Sequence, residues 1–186
     1  MPLREPTWQE VFDQLYSGWK WGSSVITYSF PVTASGLYPK GEGPGFTTML
    51  ASGQVAARLA LSLWDDLIIA DFTEILPGAN YVSSDIEFGM TSTGLDGYSA
   101  FAFYPTVGSI WFNSAYSSGG SNLFSPTIGQ LGFFTYLHEI GHALGLEHAG
   151  DYDGPGGRSP SNFYDSTVRT IMSYFGPNLR DGQGDV

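Results

Sequence analysis

At 186 residues, with 42 % hydrophobic and 16 % aromatic content, the chain suits one folded domain with a proper core and is not a disordered segment. Its net charge of −11, with 18 acidic against 7 basic residues, leaves no basic patch for nucleic acid or an anionic membrane surface. Cysteine is absent, which excludes disulfides and thiolate metal sites, and no run approaches the roughly 20 apolar residues that span a bilayer.

The first predicted element is a short helix from Thr7 to Tyr16, opened by a capping box of Thr7 and Glu10. Met1 to Pro6 lacks the apolar core of a signal peptide. A turn at Gly18–Gly22 leads to a β-rich run, Val25 to Phe30, and then to a Gly/Pro-rich loop, Ala34 to Gly45. A long helix is predicted from Thr47 or Thr48 to about Leu67, with Val55, Leu59, Leu63 and Leu67 as its i, i+4 apolar stripe. Strands follow at Asp71–Leu76 and Ser84–Met90, with shorter ones at Ser99–Phe103 and Ser109–Asn113. A polar loop, Ser114 to Pro126, precedes a second long helix from about Ile128 to Leu144, for which Thr127 and Gln130 offer another capping box. Leu131, Phe134, Leu137 and Leu144 supply its apolar contacts, and Gly129, Gly132 and Gly141 weaken it unless neighbouring backbone packs closely there. This order predicts an α+β domain, a twisted mixed sheet packed on two long helices, with no internal repeat and no linker.

All 3 histidines of the chain lie between positions 138 and 148, in the pattern H-E-x-x-H-x-x-G-x-x-H. Residues four apart share one helix face, about 6 Å apart along the axis, so His138 and His142 can reach a single ion. Gly145 accepts the left-handed conformation that ends helices and lets the chain bring His148 back to the same ion. Three nitrogen ligands leave a fourth position for water, which marks a catalytic zinc site, and Glu139 projects beside the ion where a general base belongs. The competing reading is an ordinary helix whose histidines face one way. A lone H-E-x-x-H would leave that reading open, but the extended pattern also fixes a glycine and a third histidine. Downstream, Thr170 to Phe175 is apolar, carries a Met and ends at the turn signal Gly176-Pro177.

The motif from His138 to His148 followed by Met172-Ser173-Tyr174 resembles the metzincin zinc endopeptidases, and within them the serralysins, secreted bacterial proteases. Gly150-Asp151-Tyr152 matches as well, with looser matches at Val25–Phe30 and Phe101–Pro105. The resemblance runs from about Trp19 to Phe175. It implies a metzincin-like fold with a zinc-binding helix and a Met-turn. It implies one catalytic Zn2+ on His138, His142 and His148, with Glu139 as general base acting on a zinc-bound water and then as proton shuttle. Met172 would form the apolar floor beneath the metal, and Tyr174 a displaceable ligand that turns to the oxyanion. The strand formed by Ala100, Phe101, Ala102 and Phe103 would edge the cleft and pair with an extended substrate; a plain buried strand is the competing reading.

The expected partners are protein or peptide substrates, with a protein inhibitor as a further class, and the expected state is a secreted, extracellular monomer without nucleic acid or membrane. Ala149 stands where serralysins often carry Pro. Serralysins also continue into another helix and a calcium-binding repeat domain, whereas no G-G-x-G-x-D repeat occurs here. The chain is therefore expected to be a catalytic domain without that part, with Ca2+ a cofactor only where such a repeat domain exists. Asp151 and Asp153 offer oxygen atoms but read as solvated loop acids. The alternative to an endopeptidase is a non-catalytic zinc-containing binding module using the surplus aromatics, which gives no reason for Glu139.

Overall fold

The computed structural model describes residues 5–34, 39–76, 83–95, 97–150, 152 and 165–176. Helix α1 (Trp8–Leu15) starts at the predicted capping box: the Thr7 hydroxyl accepts from the Glu10 N–H, and the Glu10 carboxylate accepts from the Thr7 N–H at 2.8 Å. Strand β1 (Val25–Ser29) follows, then the short β2 (Phe46–Thr47), helix α2 (Ala51–Asp65), strands β3 (Asp71–Glu74), β4 (Ile86–Thr91), β5 (Ala100–Ala102) and β6 (Ile110–Asn113), and helix α3 (Leu131–Ala143). Among the described residues, no helix is long and apolar enough to cross a membrane.

The sheet has the order β3-β1-β4-β6-β5, with β2 on the free length of β4 beyond β1. The pairs β1–β3, β1–β4 and β4–β6 are parallel, while β2–β4 and β5–β6 are antiparallel. A mixed sheet was expected, and its antiparallel edge is β5. Helices α2 and α3 pack against each other, burying Ala56, Ala57, Ala60 and Leu61 of the first with Phe133, Tyr136, Ile140 and Ala143 of the second. Tyr136 joins this layer to the sheet by stacking on Phe112 at 4.1 Å.

Three expectations are corrected. The predicted stripe of α2 faces outward: Val55 is 62 % and Leu67 76 % exposed, and Leu59 and Leu63 are also exposed. The buried face is instead Gly53, Ala56, Ala57, Ala60 and Leu61, because small residues let the helix axes approach; a Cβ on Gly53 would already lie 3.0 Å from the Tyr136 hydroxyl. The predicted start of α2 at Thr47 or Thr48 is wrong as well. Phe46 and Thr47 extend the sheet through Thr91 and Met90, and the helix begins at Ala51. Finally, Thr127 and Gln130 do not cap α3. The Gln130 N–H bonds the Thr127 carbonyl in a turn, Gly129 sits at φ +80°, and a helix cannot pass through that conformation.

The aromatic surplus is divided. Trp111, Tyr136, Phe88 and Phe112 are among the largest fully buried side chains, while Trp8, Phe12, Tyr16 and Trp19 are exposed.

Candidate metal centre

Helix α3 carries its glycines where neighbours press. A Cβ at Gly132 would meet the Asn122 carbonyl oxygen at 2.3 Å, and one at Gly141 the Met172 sulfur at 2.5 Å. The first of these approaches the chain entering the helix; the second seats the helix on the Met-turn. Trp64 donates from its indole to the Leu137 carbonyl, and Trp21 to the Ala143 carbonyl at 2.9 Å, so α3 is held from two sides. The helix stops as the sequence predicts: Gly145 adopts φ +104°, and the Leu146 N–H returns to the Gly141 carbonyl.

Beyond Gly145 the chain is braced by the N-terminal segment. The Glu147 N–H bonds the Leu15 carbonyl at 2.7 Å, the Ser17 N–H bonds the Gly145 carbonyl, and Tyr16 bridges Leu146. The Gln14 amide reaches the His148 carbonyl. This brace was not legible beforehand, because nothing local in Gln14–Ser17 signals a partner more than a hundred residues away.

The result is a cluster of three buried rings. The Nε2 atoms of His138, His142 and His148 lie 3.0 to 3.3 Å from one another. Each Nδ1 points to a backbone carbonyl: His138 to Ile171 at 2.8 Å, His142 to Leu146 at 2.7 Å and His148 to Tyr152 at 2.9 Å. A carbonyl only accepts, so each Nδ1 carries the proton and each Nε2 presents a lone pair to the common centre. Burial holds the His138 pKa down at about 4, with the neighbouring His148 adding to it; burial also pushes His142 well below the usual range. Three neutral imidazoles whose lone pairs converge suit a divalent cation, and an all-nitrogen set of this kind suits Zn2+. The donors fit the ion that the spacing predicts.

Glu139 is buried and lines a cleft of about 900 Å³ together with His138 and Tyr174. Tyr174 is 44 % exposed, and its ring lies 4.5 Å from that of His148 and 5.5 Å from that of His138. Met172 is buried beneath Gly141. Ala100 of β5 lines the same cleft, whereas Phe101 packs behind the strand against Leu95 and Trp111. Phe103 lies just past β5 but continues its ladder, donating from its N–H to the Ser109 carbonyl. Leu63 and Leu131, two of the outward-facing apolar side chains, form part of the cleft wall. Asp151 and Asp153, expected as solvated loop acids, lie outside the described residues. Two residues of the centre escaped the sequence reading. Tyr152 was seen only as part of a matching triplet, and Asp165, fully buried beneath the Met-turn, gave no signal.

Comparison with known proteins agrees with this geometry. The family model described as "Metallo-peptidase family M12B Reprolysin-like" matches residues 99–181, which include α3 and the Met-turn. "Metallopeptidase AprA" of Pseudomonas marginalis is 33 % identical over 166 residues, covering 83 % of this chain and 33 % of the relative. "Serralysin G" of Dickeya chrysanthemi is 33 % identical over 173 residues, covering 86 % and 35 %. "Serralysin A" of the same organism is 36 % identical over 155 residues, covering 82 % and 32 %. The chain thus spans about a third of the length of these curated relatives. The three-histidine helix, the mixed sheet that carries it and the matches along most of the chain identify a serralysin-like metzincin.

Proposed function

We propose that this chain is a zinc-dependent endopeptidase domain that hydrolyses peptide bonds of proteins outside the cell. The observation that carries the reading is the convergence of three Nε2 lone pairs at the wall of a cleft that Glu139 also lines. Held by His138, His142 and His148, a zinc ion would supply Lewis acidity for the scissile carbonyl and lower the pKa of water to near neutral.

The rest is done by the chain's own groups. Glu139 takes a proton from the attacking water and passes it to the leaving amine. Tyr174, half exposed and lining the cleft, donates through its hydroxyl to the oxygen that becomes negative as water adds. Among the described residues strand β5 stands at the sheet edge and pairs only with β6, so an extended peptide can add beside it and lay its carbonyl toward the histidines. Met172, buried against Gly141, forms an apolar floor beneath the site. The acidic chain favours no nucleic acid, and we take it to act as a monomer on unfolded or flexible protein segments.

Hydrolysis of a quenched fluorescent casein tests this. Cleavage abolished by a zinc chelator and restored by added Zn2+ is the expected result. Cleavage indifferent to chelation, or none by a zinc-loaded chain, would contradict it.

A further inference from the structure

We propose that Asp165 is a positioning residue of the metal centre, acting through Tyr152 and Ser173; this rests on the zinc reading above. Asp165 is fully buried, and one oxygen of its carboxylate, Oδ1, accepts from two hydroxyls: Tyr152 at 2.6 Å and Ser173 at 2.8 Å. Both are short charge-assisted bonds, the stronger kind in a buried setting.

Each donor belongs to a segment that orients a ligand. Tyr152 presents the carbonyl that accepts from the His148 Nδ1–H, and its ring stacks on His148 at 5.1 Å. Its hydroxyl also accepts from the Tyr174 N–H at 3.3 Å. Ser173 lies between Met172 and Tyr174, two residues after Ile171, whose carbonyl accepts from the His138 Nδ1–H. One carboxylate oxygen therefore spaces the two carbonyls that orient His138 and His148. The Ala149 N–H to Met172 carbonyl bond, 3.1 Å, closes the same loop onto the same turn. Removing the carboxylate leaves two buried hydroxyls without this acceptor and frees the third-histidine loop to shift against the Met-turn. Groups that hydrogen-bond a metal-ligating histidine directly typically carry about 10- to 100-fold in metal affinity; Asp165 stands one partner further out, so its loss should cost less.

The test is Zn2+ affinity of the metal-free chain, read by competition with a fluorescent chelator, alongside urea unfolding of the same metal-free samples. Asp165→Ala and Tyr152→Phe should each bind Zn2+ more weakly than wild type, by up to about 10-fold, the lower end of what a direct partner of a ligand carries. Asp165→Asn, which keeps an acceptor at Oδ1, should recover much of the affinity. A carboxylate that only stabilises the fold would lower the urea midpoint and leave the affinity of the folded variants unchanged, and that result overturns the proposal. Should Asp165→Ala fail to fold, Tyr152→Phe decides alone, because its ring and carbonyl remain. A wild-type chain that binds no Zn2+ would instead overturn the zinc reading itself, and this inference with it.

Discussion

Gly141 and Met172 meet beneath the metal centre so closely that a Cβ at position 141 would lie 2.5 Å from the Met172 sulfur, with a Trp64 ring carbon at 3.3 Å. The contact joins the helix that carries two histidines to the turn that carries the carbonyl for one of them. Gly141→Ala would gain about 1 kcal/mol of helix propensity but overpack a closed site, which costs about 1–3 kcal/mol. Net destabilisation is expected, as a lower urea midpoint. A raised midpoint would mean that Met172 can move aside freely.

Tyr174→Phe removes the hydroxyl while leaving the ring against His148. Loss of one donor to an oxyanion lowers kcat by about 10²- to 10³-fold. KM should change little, because the group acts on the transition state. Steady-state kinetics on a peptide substrate separates the two, and an unchanged kcat would remove Tyr174 from the mechanism.

The two faces of α2 make opposite predictions. Val55→Ser on the outward stripe should alter stability by no more than about 0.5 kcal/mol. Ala57→Leu, on the face pressed against α3, should lose about 1–3 kcal/mol by overpacking. Thermal or urea unfolding of both variants checks this, and the reverse ranking would contradict the packing.

This helix also shows where sequence legibility ends. Periodicity identified α2 but assigned its faces by residue size, since large apolar side chains usually mark the core side. Here closeness of approach decided instead, and alanines and a glycine won the interface. The three-histidine cluster was legible for the opposite reason: His138 and His142 share one helix face by geometry alone, with Glu139 beside them, and Gly145 announces the reversal that brings back His148. The edge position of β5 followed from the resemblance to known proteases rather than from the residues. Asp165 and the Leu15–Ser17 brace depend on contacts distant in sequence, which leave no local pattern.

Away from the centre, Arg58 grips Glu74 with two bonds, 2.6 and 2.7 Å, and Tyr28 adds a third at 3.1 Å. The Arg58 hydrogen bonds hold the Glu74 carboxyl below its usual range, and burial and Glu74 together push the Tyr28 hydroxyl up to about 12. A carboxyl lowered in the folded state contributes stability that is full above its unfolded pKa and is lost as pH falls through the folded value. Glu74→Gln should therefore be less stable than wild type at neutral pH, and the gap should close in strong acid. Urea midpoints at the two pH values test this, and a gap that widens with acid would contradict it.

The central claim is that Glu139 moves the proton in peptide hydrolysis at a zinc ion held by three histidines. Its most direct test is Glu139→Gln, measured for zinc content and for casein cleavage on one preparation. The account predicts one Zn2+ retained per chain, with hydrolysis lower by about 10²- to 10⁴-fold. Cleavage at the wild-type rate by the zinc-loaded variant would contradict it.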